Sequence, residues 1–344
     1  MTRLLRTFAA VLLVSATLWA DGDLQFAKLG DFELVGGGKI SNCLIGYRTF
    51  GALNAERSNA ILFPTWFSGQ TQDLKDFISP EGMADSSKFF VIAVDALGNS
   101  ISSSPSNHRE QGGDEFPTIA IADMVRSQRL LLSNEFGIER LHAVMGISMG
   151  GMQTFEWVTA YPDAMRLAVP IIGSPQLGSY DQLLWQTQLL AIEQAFADYD
   201  DPAKARRASM RVVAGIHELA LRTPGGFNRL TSSAEFNSYF AQQQAAKVSG
   251  LDPLDWASQL RAMIGHDATR GFGGSLERAM RAVKAKVLVV VSGSDHMVTP
   301  GSAIAAADYL GAEKLIIESD CGHLAFQCEG ETVTEVVRKF LAEN

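Results

Sequence analysis

Three residues far apart in the chain, Ser148, Asp295 and His323, have the types and local settings that nucleophilic acyl chemistry needs. Ser148 lies in Gly146-Ile147-Ser148-Met149-Gly150-Gly151. Residues 141–145 before it are apolar and strand-like, and residues 152–158 after it continue as a helix up to Tyr161-Pro162. A serine between glycines at a strand-to-helix turn is held in strained backbone geometry, with its Oγ standing clear of the sheet. A Cβ on either flanking residue would strike the strand or helix beside it, and glycine removes that clash. The N–H that follows, from Met149, points at the helix N-terminus, where developing negative charge is stabilised.

A serine hydroxyl is a weak nucleophile until a base takes its proton, and the base needs an acid to fix its tautomer and stabilise the imidazolium. Residues 286–291 read as a buried strand, and Asp295 stands just beyond its carboxyl end, where ligands bind in such sheets. One helix and strand later comes Cys321-Gly322-His323, ahead of a terminal helix that starts near Glu331. His323 is therefore expected to take the Ser148 proton while Asp295 orients it. The other histidines fit less well. His266, in Gly265-His266-Asp267, mimics the catalytic Gly-His but precedes the strand that carries Asp295. His296 adjoins Asp295 only along the backbone, and His108, His142 and His217 have no placement argument. A second oxyanion donor beside Met149 is expected in Pro64-Thr65-Trp66-Phe67-Ser68-Gly69, with Phe67 the first choice and Trp66 next to it. No His/Cys/Asp cluster has ligand spacing and no Gly-rich loop ends in Lys, so neither a metal nor a cofactor is expected.

The elements that must hold these residues follow from the apolar pattern. Residues 32–51 read as two strands around Gly36-Gly37-Gly38, and residues 60–63, 89–94 and 167–172 as short buried strands. A helix over residues 119–136 precedes the strand before Ser148. Strands alternating with helices predict an α/β fold, a mostly parallel sheet with helices on both faces. From residue 173 to 282 the chain is helical and Gln/Ala-rich, and sheet order resumes only at residue 286. That stretch reads as an inserted lid, with residues 21–172 and 283–344 as the two parts of the core. With 344 residues, 47% hydrophobic and 19% charged, the chain can bury a large core, and its net charge of −9 excludes a nucleic-acid partner. Residues 1–20 carry Arg3, Arg6 and an apolar run too short to span a bilayer, ending in Ala20 before Asp21. They read as a secretory signal peptide, so the protein is expected to be exported, periplasmic or secreted, without a stable membrane anchor. Of the three cysteines, Cys43, Cys321 and Cys328, at least one stays unpaired within a monomer. A Cys321–Cys328 bridge would pin the loop that presents His323, and three buried thiols are the alternative.

Further motifs carry a resemblance. Phe116-Pro117-Thr118-Ile119, then Asp123-Met124-Val125 and Gln128, lead into residues 146–157 and Tyr161-Pro162. Asp95-Ala96-Leu97-Gly98-Asn99 precedes Ser103-Ser104-Pro105-Ser106. Together with Asp295 and Gly322-His323, these resemble the homoserine O-acetyltransferase branch of the α/β-hydrolase superfamily over most of the chain from residue 60. The resemblance implies the α/β-hydrolase fold with an inserted helical lid, a Ser-His-Asp triad, an acyl-serine intermediate and a homodimer through the lid. Two positions depart from it. Leu324 stands where the acetyltransferases carry an acidic residue after the catalytic histidine, and residues 185–192 lack the arginine expected near the acceptor. The sequence therefore points to an exported serine hydrolase that cleaves small carboxylic esters with water. The alternatives are an O-acyltransferase with an alcohol acceptor and a catalytically silent protein that binds a small ligand.

Overall fold

The computed structural model describes residues 20–344, so the signal peptide read over residues 1–20 lies outside the described residues except for Ala20. The chain begins with β1 (Ala20–Asp21), β2 (Gln25–Glu33), β3 (Lys39–Gly51) and β4 (Ala60–Pro64). Two short strands, β5 (Ile78–Ser79) and β6 (Ala84–Asp85), pair with each other ahead of β7 (Phe90–Val94). Helix α1 (Ile121–Leu131), β8 (Leu141–Ile147), α2 (Met149–Ala160) and β9 (Met165–Ile171) follow. The helical region comprises α3 (Ser179–Asp198), α4 (Pro202–Leu221), α5 (Pro224–Leu230), α6 (Phe236–Ser249) and α7 (Pro253–Ile264). The chain ends with α8 (Leu276–Ala282), β10 (Lys286–Ser292), α9 (Gly301–Leu310), β11 (Glu313–Ile317), α10 (Ala325–Cys328) and α11 (Gly330–Glu343).

Nine strands form one sheet in the order β1-β3-β7-β4-β8-β9-β10-β11, with β2 paired to β3. From β7 to β11 every pairing is parallel, while β1, β2 and β7 each run antiparallel to β3. The sequence explains this division. Strands β4, β7 and β8 are buried at every position, as a strand covered on both faces must be. Strand β2 buries only Ala27 and Phe32 and exposes most of its other residues, and it pairs at the margin. Alternate residues of β4 and β7 enter opposite cores. Leu62, Ile92 and Val94 pack with Met152, Phe155 and Trp157 of α2. Ile61, Phe63, Val91 and Ala93 pack with Val333, Val337 and Phe340 of α11. The result is the expected α/β architecture, with helices on both faces and α3–α7 inserted between β9 and β10.

The inserted region leaves and rejoins the core at one neck. Ala268 N–H donates to Pro175 O at 2.9 Å, and Gln176 bridges Asp267. Gln176 Nε2 also donates to Asp267 Oδ1 at 3.0 Å and to Thr269 Oγ1 at 2.8 Å. His266 belongs to this neck. Its Nε2 lies 3.0 Å from Ser174 O, an acceptor, so Nε2 carries the proton and the ring is neutral. Burial pushes its pKa down to about 4, and Nδ1 has no partner. A histidine with a depressed folded pKa loses stability as pH falls below its unfolded value, because only the unfolded chain takes the proton. Between pH 7 and pH 5 the wild type is expected to lose about 2 kcal/mol more stability than His266→Gln. Urea unfolding of both proteins at the two pH values measures the difference, and equal losses would count against this account.

Candidate active site

Ser148 sits between β8 and α2 with φ +58° and ψ −118°, a conformation rare for a residue with a side chain. The surrounding glycines are needed for clearance. A Cβ on Gly146 would lie 2.2 Å from Gly150 O, and one on Gly150 would lie 2.7 Å from Pro64 O. A Cβ on Gly151 would lie 2.9 Å from Gly173 Cα. Helix, strand and neighbouring loop therefore meet at backbone contact around the serine. Met149 N–H opens α2 and has no intrahelical partner.

The structure brings the three residues singled out in the sequence into one hydrogen-bonded chain. His323 Nε2 is 2.9 Å from Ser148 Oγ, and His323 Nδ1 is 2.7 Å from Asp295 Oδ2. Asp295 Oδ1 accepts from Met297 N–H at 2.8 Å and Val298 N–H at 3.0 Å. All three side chains are buried. A carboxylate can only accept, so Nδ1 holds the imidazole proton and Nε2 is free to receive the one on Ser148. Such a chain can generate an alkoxide-like nucleophile and return the proton to a leaving group.

Each partner is held from several directions. His323 lies in a single turn after Gly322, whose φ is +61° and whose Cβ would come within 3.0 Å of Arg222 Cα. Cys321 and Cys328 form a disulfide with a Cα separation of 6.5 Å, bracketing the base, while Cys43 is a buried free thiol pushed up to about 12 by burial. The loop after β4 is held from the core by Gln153, whose Nε2 donates to Thr65 O at 3.0 Å. Gln128 donates to Gln153, and Trp157 Nε1 donates to Gln128, which accounts for three of the motif residues.

The inserted region reaches all three site loops. Gln259 Oε1 accepts from Ser68 N–H at 2.8 Å, next to Phe67. Asp181 accepts from Thr299 N–H at 2.9 Å and Thr299 Oγ1 at 3.0 Å, four residues after Asp295. Thr223 Oγ1 donates to Asp320 O at 2.7 Å, and the Arg229 guanidinium pairs with the Asp320 carboxylate, three residues before His323. No local sequence signal marks Asp181, Thr223 or Gln259, since each acts on a partner roughly a hundred residues or more away. The remaining histidines lie outside the chain of three. His142 Nε2 bonds Leu341 O and its ring stacks on Phe89, while His108 Nε2 bonds Ser41 O. His296 is half-buried beside Asp295. His217 packs against Phe67 and Trp256, with ring centroids 6.3 and 5.2 Å away.

Fold, elbow and hydrogen-bonded chain together define an α/β-hydrolase. A family model for the alpha/beta hydrolase fold matches residues 74–327, and the chain belongs to that family. Among relatives, it is 33% identical over 311 residues to an ethyl acetate hydrolase of Pseudomonas veronii, covering 87% of this chain and 86% of that one. A crystal structure of an acetylester hydrolase from Corynebacterium glutamicum superposes with a TM-score of 0.85 at 31% identity, covering 93% of this chain and 95% of the other. A homoserine O-acetyltransferase of Thermobifida fusca is 29% identical over 368 residues, covering 94% of each chain. The branch seen in the sequence motifs thus contains both hydrolases and acyltransferases.

The disulfide yields a stability expectation. Removing a bridge that closes so short a loop costs about 2–3 kcal/mol from chain entropy. The Cys321→Ser/Cys328→Ser double variant is expected to unfold at correspondingly lower urea concentration, with lower turnover because the base loop loosens. Non-reducing peptide mapping should recover residues 321 and 328 in one linked fragment, and free thiols there would remove the explanation.

Proposed function

We propose that this protein is a serine esterase that hydrolyses small carboxylic esters through an acyl-Ser148 intermediate. The observation that carries the reading is the Ser148–His323–Asp295 hydrogen-bonded chain at a strained elbow. Ser148 Oγ attacks the ester carbonyl while His323 Nε2 takes its proton. The Met149 N–H and the Phe67 N–H receive the oxyanion, Trp66 being the neighbouring candidate for the second donor. His323 then protonates the departing alcohol, leaving the acyl group on Ser148. Water attacks that carbonyl, His323 takes the water proton and returns it to Oγ, and the carboxylic acid leaves. Asp295 holds the ring and stabilises the imidazolium throughout. The ethyl acetate hydrolase and the acetylester hydrolase among its relatives support a short acyl group.

An O-acyltransferase is the second reading, favoured by the homoserine O-acetyltransferase relatives. Leu324 weighs against a homoserine acceptor. It packs on an apolar cluster in the turn that carries His323, and a buried ammonium against leucine is costly. Losing one charge-assisted hydrogen bond weakens acceptor binding roughly ten- to a hundredfold. The intact chain of three leaves no support for a catalytically silent binding protein. Export, drawn from residues 1–20 and compatible with the Cys321–Cys328 bridge, completes the reading and separates the enzyme from cytosolic acyl-CoA. Among the described residues no helix is long and apolar enough to cross a membrane. A homodimer through the inserted helices is supported by Leu183, Leu190, Val212, Leu219 and Leu230, all exposed there.

A fluorophosphonate should label Ser148, and Ser148→Ala should lose about three or more orders of magnitude in ester turnover. Ordinary turnover by that variant would refute the assignment. Given acetyl-CoA and homoserine, the mature protein is expected to release acetate at most. O-acetylhomoserine forming faster than acetate would establish the transferase instead. The intact mass of protein recovered from the exported fraction reads the signal, and a mass that includes residues 1–20 would remove it.

A further inference from the structure

The helical region carries a cluster of unpartnered nitrogen atoms on the aromatic wall beside the site. Phe67 heads this wall from the oxyanion loop. Its ring centroid is 4.5 Å from that of Trp256 and 5.8 Å from that of Trp185. His217 joins the wall from α4, the helix that packs on the turn holding His323. The cluster therefore lies between two of the three loops that make the site.

Its polar atoms are unequally matched. Trp256 Nε1 donates to Gln188 Oε1 at 3.2 Å, which fixes the Gln188 amide and leaves its Nε2 without a partner. Trp185 Nε1, one turn earlier on α3, and His217 Nδ1 also have no partner. Trp185, Gln188 and His217 are 1%, 0% and 8% exposed, so bulk water does not serve these groups freely. A buried donor left without an acceptor costs about 1–3 kcal/mol, and such groups in native structures ordinarily mark a missing ligand or water. Beside them, Lys247 Nζ stands 4.5 Å from the centre of the Trp256 ring. Among the described residues the ammonium has no hydrogen-bond or ion-pair partner. The carboxylate of Glu218, on α4 next to His217, is engaged by the Tyr239 hydroxyl. Burial pushes Lys247 down to about 8 against the opposing pull of the Glu218 carboxylate, which makes no direct ion pair with it. An indole N–H and an ammonium can only donate, and the free side of the Gln188 amide is its donor. The neutral His217 ring adds one acceptor nitrogen, so the cluster holds more donors than acceptors, and the ammonium favours an anionic acceptor.

We propose that the half of the ester remote from the scissile carbonyl carries a carboxylate, held by Lys247 at the Trp185–Gln188–His217–Trp256 wall. This rests on the esterase reading above and names its substrate class, acyl esters of small hydroxycarboxylic acids. Lys247 is then a specificity-determining residue. Hydrolysis consumes water and yields the acyl acid and the free hydroxy acid, so the class of reaction upstream is acylation of a hydroxy acid's hydroxyl.

The test compares two esters of matched shape, 3-acetoxypropanoate and 3-methylbutyl acetate, on the full-length mature protein. Wild-type kcat/KM is expected to favour the anionic ester roughly tenfold or more, the range one charge-assisted contact supplies. Lys247→Met keeps an apolar stem over Trp256 and removes the charge. It should collapse that preference at least tenfold through KM, and Lys247→Arg should restore part of it. Fluorophosphonate labelling of Ser148 in each variant establishes that the site is folded. Hydrolysis of 3-methylbutyl acetate with no preference for the anion, or a preference unchanged in Lys247→Met, overturns the proposal and leaves the esterase standing. Failure of the wild type on both esters removes the esterase reading, and this proposal with it.

Discussion

Backbone contact around Ser148 is the constraint on which the rest of the site depends. The serine can stand at positive φ only if β8, α2 and the loops after β4 and β9 approach to distances that admit no Cβ. That approach sets the Met149 N–H at the helix start and brings the Pro64 and Thr65 carbonyls against Gly150 beside it. Strain of this kind costs of order 1–3 kcal/mol and persists only where surrounding packing over-determines it. Here the packing is two buried cores, one on each face of the sheet, drawing on alternate residues of the same strands.

The inserted helices do more than cover the pocket. Through Gln259, Asp181 and Thr223 they hydrogen-bond the loops that carry Phe67, Asp295 and His323 in turn. Their own ends are joined at the neck by the pairing of residues 174–176 with 266–269. A lid tied to each loop makes catalytic geometry and pocket shape depend on one body.

Histidine shows how one residue type is sorted by environment. His323 gains a carboxylate on one side and a hydroxyl on the other, and so can cycle a proton. His266, which has the same Gly-His setting in sequence, meets a carbonyl and an apolar neck and is held neutral near pH 7. His217 is also buried and held well below its ordinary pKa, but its neighbours are aromatic rings and a lysine. The chemistry of each follows from which acceptors the fold brings within reach.

The sequence by itself determined the parts of this protein that local chemistry controls. Gly146, Gly150 and Gly151 around Ser148 announce a turn that only glycine clears, and buried apolar runs of strand length announce a parallel sheet. The order of Ser148, Asp295 and His323 along that sheet then follows from each lying at a strand's carboxyl end. Tertiary structure decided what depends on meeting across long separations. That Ser68 finds Gln259 and that Thr299 finds Asp181 are facts of packing, with no periodicity or spacing to betray them, and packing also chose the Cys321–Cys328 bridge over the three buried thiols the sequence left open. The same holds for the wall beside the site. Trp185, His217, Lys247 and Trp256 come from four different helices, and only their convergence beside Phe67 gathers more donors than acceptors at one place.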